Sequence, residues 1–245
     1  MRKVSIIGIG AGNPDYLTLQ AIAAIKAADT FFIPDKGDDK LALRAVREEM
    51  LARHGRPGQH RVEFEVPERD RSGAYQAGVA AWRDALRATY RDMLHGLGDG
   101  ETGAFLVWGD PALYDGTIVL LREIGAEVEV IPGISAVQAL AARHRIPLNR
   151  VGEAVTITTA RRVRDGEADR LGSFIVMLDS DAAWKRFVGE AGTEIFWGAY
   201  LGMGEEVLVA GRLSEVAAEI ERVRAEARAR NGWIMDSYLI RRQPG

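Results

Sequence analysis

The chain has 245 residues, no cysteine and a formal net charge of −3. The lack of cysteine excludes disulfides, thiolate metal sites and a cysteine nucleophile, and the four histidines show no metal-ligand spacing. The charge predicts no general affinity for nucleic acid, and no apolar run reaches the roughly 20 residues that span a bilayer. Because no apolar leader precedes the first predicted strand, we expect a cytoplasmic protein without membrane or nucleic-acid partners.

Strands and helices are predicted to alternate through the first half of the chain. Thr18 is the predicted N-cap of the first helix. The predicted strands cover residues 4–10, 30–33, 62–66, 103–108 and 127–131. The predicted helices cover residues 18–28, 38–54, 73–97, 114–124 and 135–144. This alternation predicts a mainly parallel sheet with right-handed crossover connections.

The pattern restarts after a turn at Pro147 to Asn149. Strands are predicted over residues 154–159, 173–178, 194–199, 206–210 and 233–240, with a helix over 213–229. Closely spaced strands with few helices between them predict a mixed sheet. We therefore predict an α/β fold of two domains, 1–147 and 148–245, with a ligand cleft between them.

Three loop motifs follow predicted strands of the first domain. They read GIGAGNP at 8–14, WGDPALY at 108–114 and PGISA at 132–136. The carboxyl-end turns of parallel strands meet at one edge of an open sheet, where such folds bind ligands. The three loops together therefore predict one small-molecule site.

The first motif departs from the dinucleotide-binding fingerprint, which requires glycine where this chain has Asn13. Pro14 also removes an amide that a pyrophosphate would need. Asp35, an acidic residue after the second strand, is nevertheless compatible with a nicotinamide or flavin cofactor. A purely structural role for the glycine turn is a further alternative. The glycines favour a turn that lets a bulky ligand approach the backbone. The second motif suits a ligand that brings amino donors and no phosphate, although Gly-Asp-Pro also occurs in ordinary turns.

Taken together, the motifs resemble those of the tetrapyrrole methylases, two-domain methyltransferases that use S-adenosylmethionine on corrin and sirohaem precursors. Residues 7–19, followed by Ala28 and Asp29, are similar to the first signature of that family. Gly109-Asp110-Pro111 and the segment 132–136 are similar to the second and third. The resemblance extends over essentially the whole chain.

The resemblance implies an enzyme with S-adenosylmethionine as co-substrate, a tetrapyrrole as acceptor, no metal and a homodimeric assembly. It implies donor contacts at the matched positions Ala11, Trp108, Gly109, Asp110, Leu113, Ser135, Ala136, Met177 and Gly202. Periodicity alone would place Met177 in the core. A non-catalytic carrier of small molecules is the remaining alternative.

Two further roles follow from the resemblance as hypotheses. Asp35 is the candidate catalytic base, because relatives place this aspartate on the substrate side. Arginine binds carboxylates bidentately and stays charged, so the clustered arginines are candidate anchors for an acidic macrocycle. A solvated surface is the alternative for these residues, which are Arg143, Arg145, Arg161, Arg162 and Arg164.

Overall fold

A computed structural model describes residues 2–35, 41–68 and 75–242, apart from the side chains of residues 41, 42, 75 and 76. By its contacts the chain divides into two compact units, Met1–Ser135 and Ala136–Gly245. Each unit contains one five-stranded sheet with helices packed on it. The predicted α/β class, with two domains, is therefore confirmed.

The first unit alternates strands and helices along the chain. Its strands are β1 (Lys3–Gly8), β2 (Thr30–Asp35), β3 (His60–Glu65), β4 (Thr102–Val107) and β5 (Glu127–Ile131). Its helices are α1 (Leu19–Ala27), α2 (Leu41–His54), α3 (Tyr75–His95) and α4 (Thr117–Glu123). The sheet order is β3-β2-β4-β1-β5, and every pair is parallel, as predicted.

Helices cover both faces of this sheet, which is why its central strands are nearly continuous apolar runs. On one face, Ile25 of α1 and Met50 of α2 pack against the sheet in one buried cluster. On the other face, Leu120 of α4 and Tyr90 of α3 belong to a second cluster. The Tyr90 ring lies 4.9 Å from that of Phe105 between centroids, in a tilted arrangement. The two layers hold the strand ends, and hence the loops that follow them, in place.

The second unit has the predicted mixed sheet. Its strands are β6 (Val155–Thr159), β7 (Ser173–Met177), β8 (Glu194–Ala199), β9 (Val207–Arg212) and β10 (Asp236–Arg241). Its α-helices are α5 (Ala136–His144), α6 (Ala160–Arg164) and α7 (Leu213–Asn231). In the order β6-β7-β10-β8-β9, the first pair is parallel and the others are antiparallel. Its core includes the fully buried side chains of Trp184, Trp197 and Tyr200.

Helix α5 lies with the second unit, whereas the predicted bounds 1–147 and 148–245 assign it to the first domain. It packs on β8, β9 and β10, and Leu140 lies against the backbone of Gly198. The prediction rested on the turn at Pro147 to Asn149. A local turn does not indicate which sheet covers the apolar face of the helix before it.

Several element bounds also differ from the predicted ones. Helix α4 begins at Thr117 instead of 114, because Tyr114 has φ 55° and the Asp115 carboxylate accepts the Thr117 amide at 2.8 Å. Helix α6 was not predicted, nor were the 3-10 helices Pro14–Tyr16 and Ala183–Phe187. The predicted starts of α2 and α3, at residues 38 and 73, lie outside the described residues.

Candidate functional site

The three loop motifs follow β1, β4 and β5, which are neighbours in the sheet order β4-β1-β5. Since these strands are parallel, their carboxyl ends lie along one edge. Ligands of open α/β sheets bind outside that edge. If the three loops converge at this edge as predicted, they must contact one another.

A two-bond bridge joins the first motif to the second. The Gly109 amide donates to the Gly10 carbonyl oxygen at 2.8 Å, and the Gly10 amide donates to the Gly109 carbonyl oxygen at 3.2 Å. Gly10 has φ 81° and Gly109 has φ 68°. Glycine adopts this left-handed region at no steric cost, so both positions favour glycine. These two backbone hydrogen bonds join the first loop directly to the second.

The third motif is tied to the second by a side chain. The Asp110 carboxylate accepts the Gly133 amide at 2.9 Å with one oxygen and the Ala112 amide at 2.7 Å with the other. A Cβ placed on Gly8 would lie 2.6 Å from the Gly133 nitrogen, so the backbones of the first and third motifs touch. We call Gly8, Gly10, Gly109, Asp110 and Gly133 the loop junction.

The predicted donor contacts in the three motifs lie at or next to the loop junction in the sequence, and all but Ala136 belong to the first unit. Ala11 follows Gly10 and is 1% exposed, and Trp108 precedes Gly109. The Leu113 amide donates to the Asp110 carbonyl oxygen at 3.1 Å. Ser135, which is buried, and Ala136, the first residue of α5, close the third motif.

The predicted contacts in the second unit lie at turns with left-handed backbone conformations. Met177 is half-buried at the end of β7, and the exposed Leu178 after it has φ 57°. Gly202 has φ 78°, and its amide donates to the Glu206 carboxylate at 2.8 Å. The other oxygen of Glu206 accepts the Arg143 Nε at 2.6 Å. Non-glycine residues with a positive φ are frequent at ligand sites, so the backbone of Leu178 is consistent with a ligand contact at the neighbouring Met177.

Asp35, the candidate base, is the exposed last residue of β2. Its carbonyl oxygen accepts the Val66 amide at 3.4 Å, and its register partner on β3 is Glu65. Its position at the carboxyl edge of the sheet agrees with a role toward a ligand bound there.

Three of the candidate arginine anchors form ion pairs with acidic residues of their own unit. Arg143 pairs with Glu206, as described above. The Arg162 Nε lies 2.6 Å from Glu167 Oε2, and Arg164 pairs with Asp181. Arg145 directly follows α5 with φ 57°, and Arg161 is exposed on α6. A substrate carboxylate would have to compete with the acidic partners of the three paired arginines.

Arg47, which the sequence reading did not single out, lies on α2 and is only 7% exposed. Its Nε donates to the Leu106 carbonyl oxygen at 3.1 Å, and its Nη1 to that of Leu43 at 3.0 Å. Its guanidinium carbon lies 5.9 Å from the Trp108 ring centroid. Burial lowers the Arg47 pKa to about 10, against the opposing charge of Asp115. A lone arginine within the apolar face of α2 was the signal available in the sequence.

The loop junction is poorly suited to a phosphate group. The amides of Gly10, Gly109 and Gly133 already donate to protein oxygens. The Asp110 carboxylate would also repel an anion. Helix α1 begins only at Leu19, and Thr18 caps it by accepting the Ala21 amide at 3.0 Å. The dinucleotide-binding arrangement, in which a glycine loop leads directly into a helix, is therefore not formed here.

The described residues provide neither a cluster of metal ligands nor a membrane-spanning helix. Within 2–35, 41–68 and 75–242, no three histidine, cysteine or acidic side chains come together as a metal site. None of the helices in these ranges is both long and apolar enough to cross a membrane.

The chain is similar to known proteins in both sequence and fold. The chain is 47% identical over 251 residues to a Sinorhizobium sp. protein named precorrin-6A synthase [deacetylating], covering 99% of this chain and 96% of the relative. A Corynebacterium diphtheriae protein described as cobalamin-synthesis-related is 36% identical, with a TM-score of 0.83 over 100% of both chains.

A more distant structure shares the fold. It is the Thermus thermophilus uroporphyrin-III C-methyl transferase complexed with S-adenyl homocysteine, 18% identical with a TM-score of 0.59, covering 98% of this chain and 97% of that one. The family model of the Tetrapyrrole (Corrin/Porphyrin) Methylases matches residues 3–217. That match includes all three loop motifs and both sheets apart from β10. The chain therefore belongs to the tetrapyrrole methylases.

Proposed function

We propose that this protein is an S-adenosylmethionine-dependent C-methyltransferase of cobalamin biosynthesis. It methylates precorrin-5 at C1 and releases the C20 acetyl group as acetate, giving precorrin-6A. The observation that carries the proposal is the 47% identity, over 99% of the chain, to the Sinorhizobium precorrin-6A synthase [deacetylating]. Another precorrin methyltransferase, acting on a different ring carbon, is the alternative that the experiment below must separate.

The donor site belongs to the same proposal. S-adenosylmethionine supplies an activated methyl group and carries no phosphate, which suits a loop junction whose amides are already occupied. The residues that would hold it are the nine matched positions, Ala11, Trp108, Gly109, Asp110, Leu113, Ser135, Ala136, Met177 and Gly202. The side chain of Asp110 orients loops instead of reaching outward, so the contact at that position falls to its backbone.

The protein contributes mainly position and exclusion of water to the methyl transfer. The acceptor carbon must stand in line with the carbon–sulfur bond that breaks, and the electron pair of that bond stays on sulfur. The junction backbones pack without side chains between them, so the loops form a stiff surface against which the donor is aligned. No acid or base is needed for this step.

Release of the acetyl group needs a base. Water adds to the acetyl carbonyl carbon, the bond from that carbon to C20 breaks, and its electron pair returns to the macrocycle. The proton lost by the water passes to a base, and Asp35 is our candidate because it ends β2 at the carboxyl edge of the sheet. If methylation alone makes the acetyl a good leaving group, no protein base is required.

The reaction and its position are tested by incubating the protein with methyl-labelled S-adenosylmethionine and a series of precorrins. We expect precorrin-5 to be consumed, with one acetate released for each methyl group transferred. Methylation of a different precorrin without acetate would identify a sibling methyltransferase. The absence of any methyl transfer would leave the carrier alternative.

The base assignment is tested by Asp35→Asn. We expect acetate release to slow by about 10²–10⁴-fold, the usual contribution of a positioned base, while labelled methyl transfer continues. Glu65→Gln is the matched control, because Glu65 is exposed and stands beside Asp35 in the β2–β3 register. Unchanged acetate release in the Asp35 variant would remove this residue from the mechanism.

The remaining assignments rest on the family resemblance. We propose a cytoplasmic homodimer whose partner is the tetrapyrrole substrate, and which uses neither nucleic acid, membrane nor metal. The domain bounds 1–147 and 148–245 stay a prediction.

A further inference from the structure

Strands β2 and β4 pair over only part of their length. The paired residues run from Thr30 with Gly103 to Phe32 with Phe105. Strand β2 nevertheless continues to Asp35, and β4 to Val107. The two strands therefore separate toward their carboxyl ends. We call this opening the β2–β4 split.

The β2–β4 split is also a place where the sheet connections diverge. Helix α2, which follows β2, packs on the face that carries α1. Helix α4, which follows β4, packs on the opposite face with α3. Where connections leave neighbouring strands toward opposite faces, open α/β sheets form the crevice in which they bind ligands.

Arg47 lies at this split, and within the part of the chain that the structure describes only two of its donors find acceptors. Two of the five N–H groups of its guanidinium donate to backbone carbonyls, one of them that of Leu106 on β4. No carboxylate of the described residues lies within hydrogen-bonding distance of it. Asp115 is the acidic group that acts on its charge, and one Asp115 oxygen already accepts the Thr117 amide. Buried charges in proteins are ordinarily paired, whereas the residues described here provide no carboxylate partner for this cation.

Support of the sheet does not explain this arrangement. One neutral donor would satisfy the Leu106 carbonyl, at a far smaller desolvation cost than a guanidinium. A second buried donor lies close by: Trp108 Nε1 has no acceptor among the described residues. The Arg47 guanidinium carbon is 5.9 Å from the centroid of that indole. Among the described residues, Trp108 Nε1 and the three remaining N–H groups of Arg47 therefore have no acceptor at the edge where the second motif begins.

We infer that Arg47 is a substrate-binding residue, which takes a carboxylate of the acidic tetrapyrrole in the β2–β4 split. The inference rests on the proposed function for the identity of the ligand. The planar fork of a guanidinium matches a carboxylate with two parallel hydrogen bonds, which an ammonium group cannot provide. Because Trp108 opens the second motif, this anchor holds the macrocycle beside the loop junction. It differs from the arginine clusters of the second unit, where three of the five arginines are paired with acidic residues.

The test measures acceptor and donor binding separately in Arg47→Met. We expect the KM for precorrin-5 to rise about 10- to 100-fold, the range for the loss of a charge-assisted hydrogen bond. The Kd for S-adenosylhomocysteine should stay within about twofold, because the loop junction is untouched. Arg44→Met is the matched control, one turn earlier on α2, where the half-buried Arg44 pairs with Glu63. It should change neither value.

The other possible outcomes each contradict either the role of Arg47 or the proposed function. An unchanged KM for precorrin-5, or an equal loss of both affinities, would mean that Arg47 only supports the fold. If Arg47→Met does not fold, Arg47→Lys keeps the charge and a donor for Leu106 but not the fork, and an unchanged KM there would overturn the inference. If the wild-type protein does not methylate precorrin-5, the proposed function fails. Fluorescence titration with uroporphyrin III, a stable acidic tetrapyrrole, then tests the anchor, which fails if Arg47→Met binds it as well as the wild type does.

Discussion

Gly133 illustrates how single residues set the geometry of the loop junction. A Cβ at this position would lie 2.9 Å from Gly8 Cα and would overlap the carbonyl oxygen of Gly109. Distances under about 3 Å leave no room for a carbon atom, so one of the three backbones would have to move. Gly133 is required because of its neighbours, not because of a turn of its own.

We expect Gly133→Ala to lower the free energy of unfolding by about 1–3 kcal/mol, as overpacking does. The Kd for S-adenosylhomocysteine should rise at least about tenfold, because the displaced loops no longer match the donor. Gly116→Ala is the control, since Gly116 precedes α4 in an equivalent strand-to-helix loop with φ −97° and no atoms within 4 Å of a Cβ. Isothermal titration and urea unfolding provide the two measurements. Equal behaviour of both variants would contradict the proposed role of the loop junction.

Asp110 shows, also at the scale of single residues, that a sequence motif does not determine where a side chain points. The family resemblance implies a donor contact at this position without saying which atoms make it, and the carboxylate accepts the amides of Gly133 and Ala112 within the protein. The motif indicated the right loop. The direction of the side chain depended on the third motif, which lies 22 residues further along the chain.

Among the elements, α5 carries the clearest titratable contact. His144, in its last turn, has Nε2 3.0 Å from the Trp197 carbonyl oxygen, so this nitrogen is the donor. Its ring packs edge-on against Phe196 at 5.7 Å between centroids. Burial lowers the His144 pKa below its ordinary value of 6.5, opposed by the Trp197 hydrogen bond and the charge of Glu206. The docked helix thus favours the neutral imidazole.

The sign of the pH effect follows from this direction. Above pH 6.5 the imidazole is neutral in both folded and unfolded states, so the contribution to stability is fully present. As the pH falls below 6.5, the unfolded state takes up the proton first, and that contribution declines.

We therefore expect the free energy of unfolding of the wild type to fall more between about pH 7.5 and about pH 5.5 than that of His144→Gln. Glutamine can donate to the same carbonyl and does not titrate. His95→Gln, on the exposed end of α3, is the control and should keep the wild-type slope. Urea titrations at the two pH values give the comparison. Parallel slopes for wild type and His144→Gln would show that α5 does not discriminate against the charged imidazole.

The elements also show which structure is local and which is not. Thr18 caps α1 as predicted, because the cap lies next to the helix that it serves. The burial of Arg47 at the β2–β4 split was not predicted, because it depends on where α2 places this residue against a strand 59 residues further along the chain.

At the scale of the whole molecule, donor binding should appear as added stability. A ligand that binds only the folded state stabilises it by about 2.7 kcal/mol at a concentration 100 times its Kd. We expect S-adenosylhomocysteine to raise the Tm, and NAD at the same concentration to leave it unchanged, because the loop junction offers its amides to protein oxygens. A higher Tm with NAD and an unchanged Tm with S-adenosylhomocysteine would favour a nicotinamide-dependent enzyme over a methyltransferase.

Sequence alone determined the alternation of strands and helices, the two sheet types and the order of the three motifs, since each depends on local periodicity or on neighbouring residues. Tertiary structure decided that α5 packs in the second unit, that Asp110 bridges two loops and that Arg47 is buried at the β2–β4 split. Each of these depends on contacts between residues far apart in the chain. Such contacts are made only when the strands take their places in the sheet, and no local pattern records them.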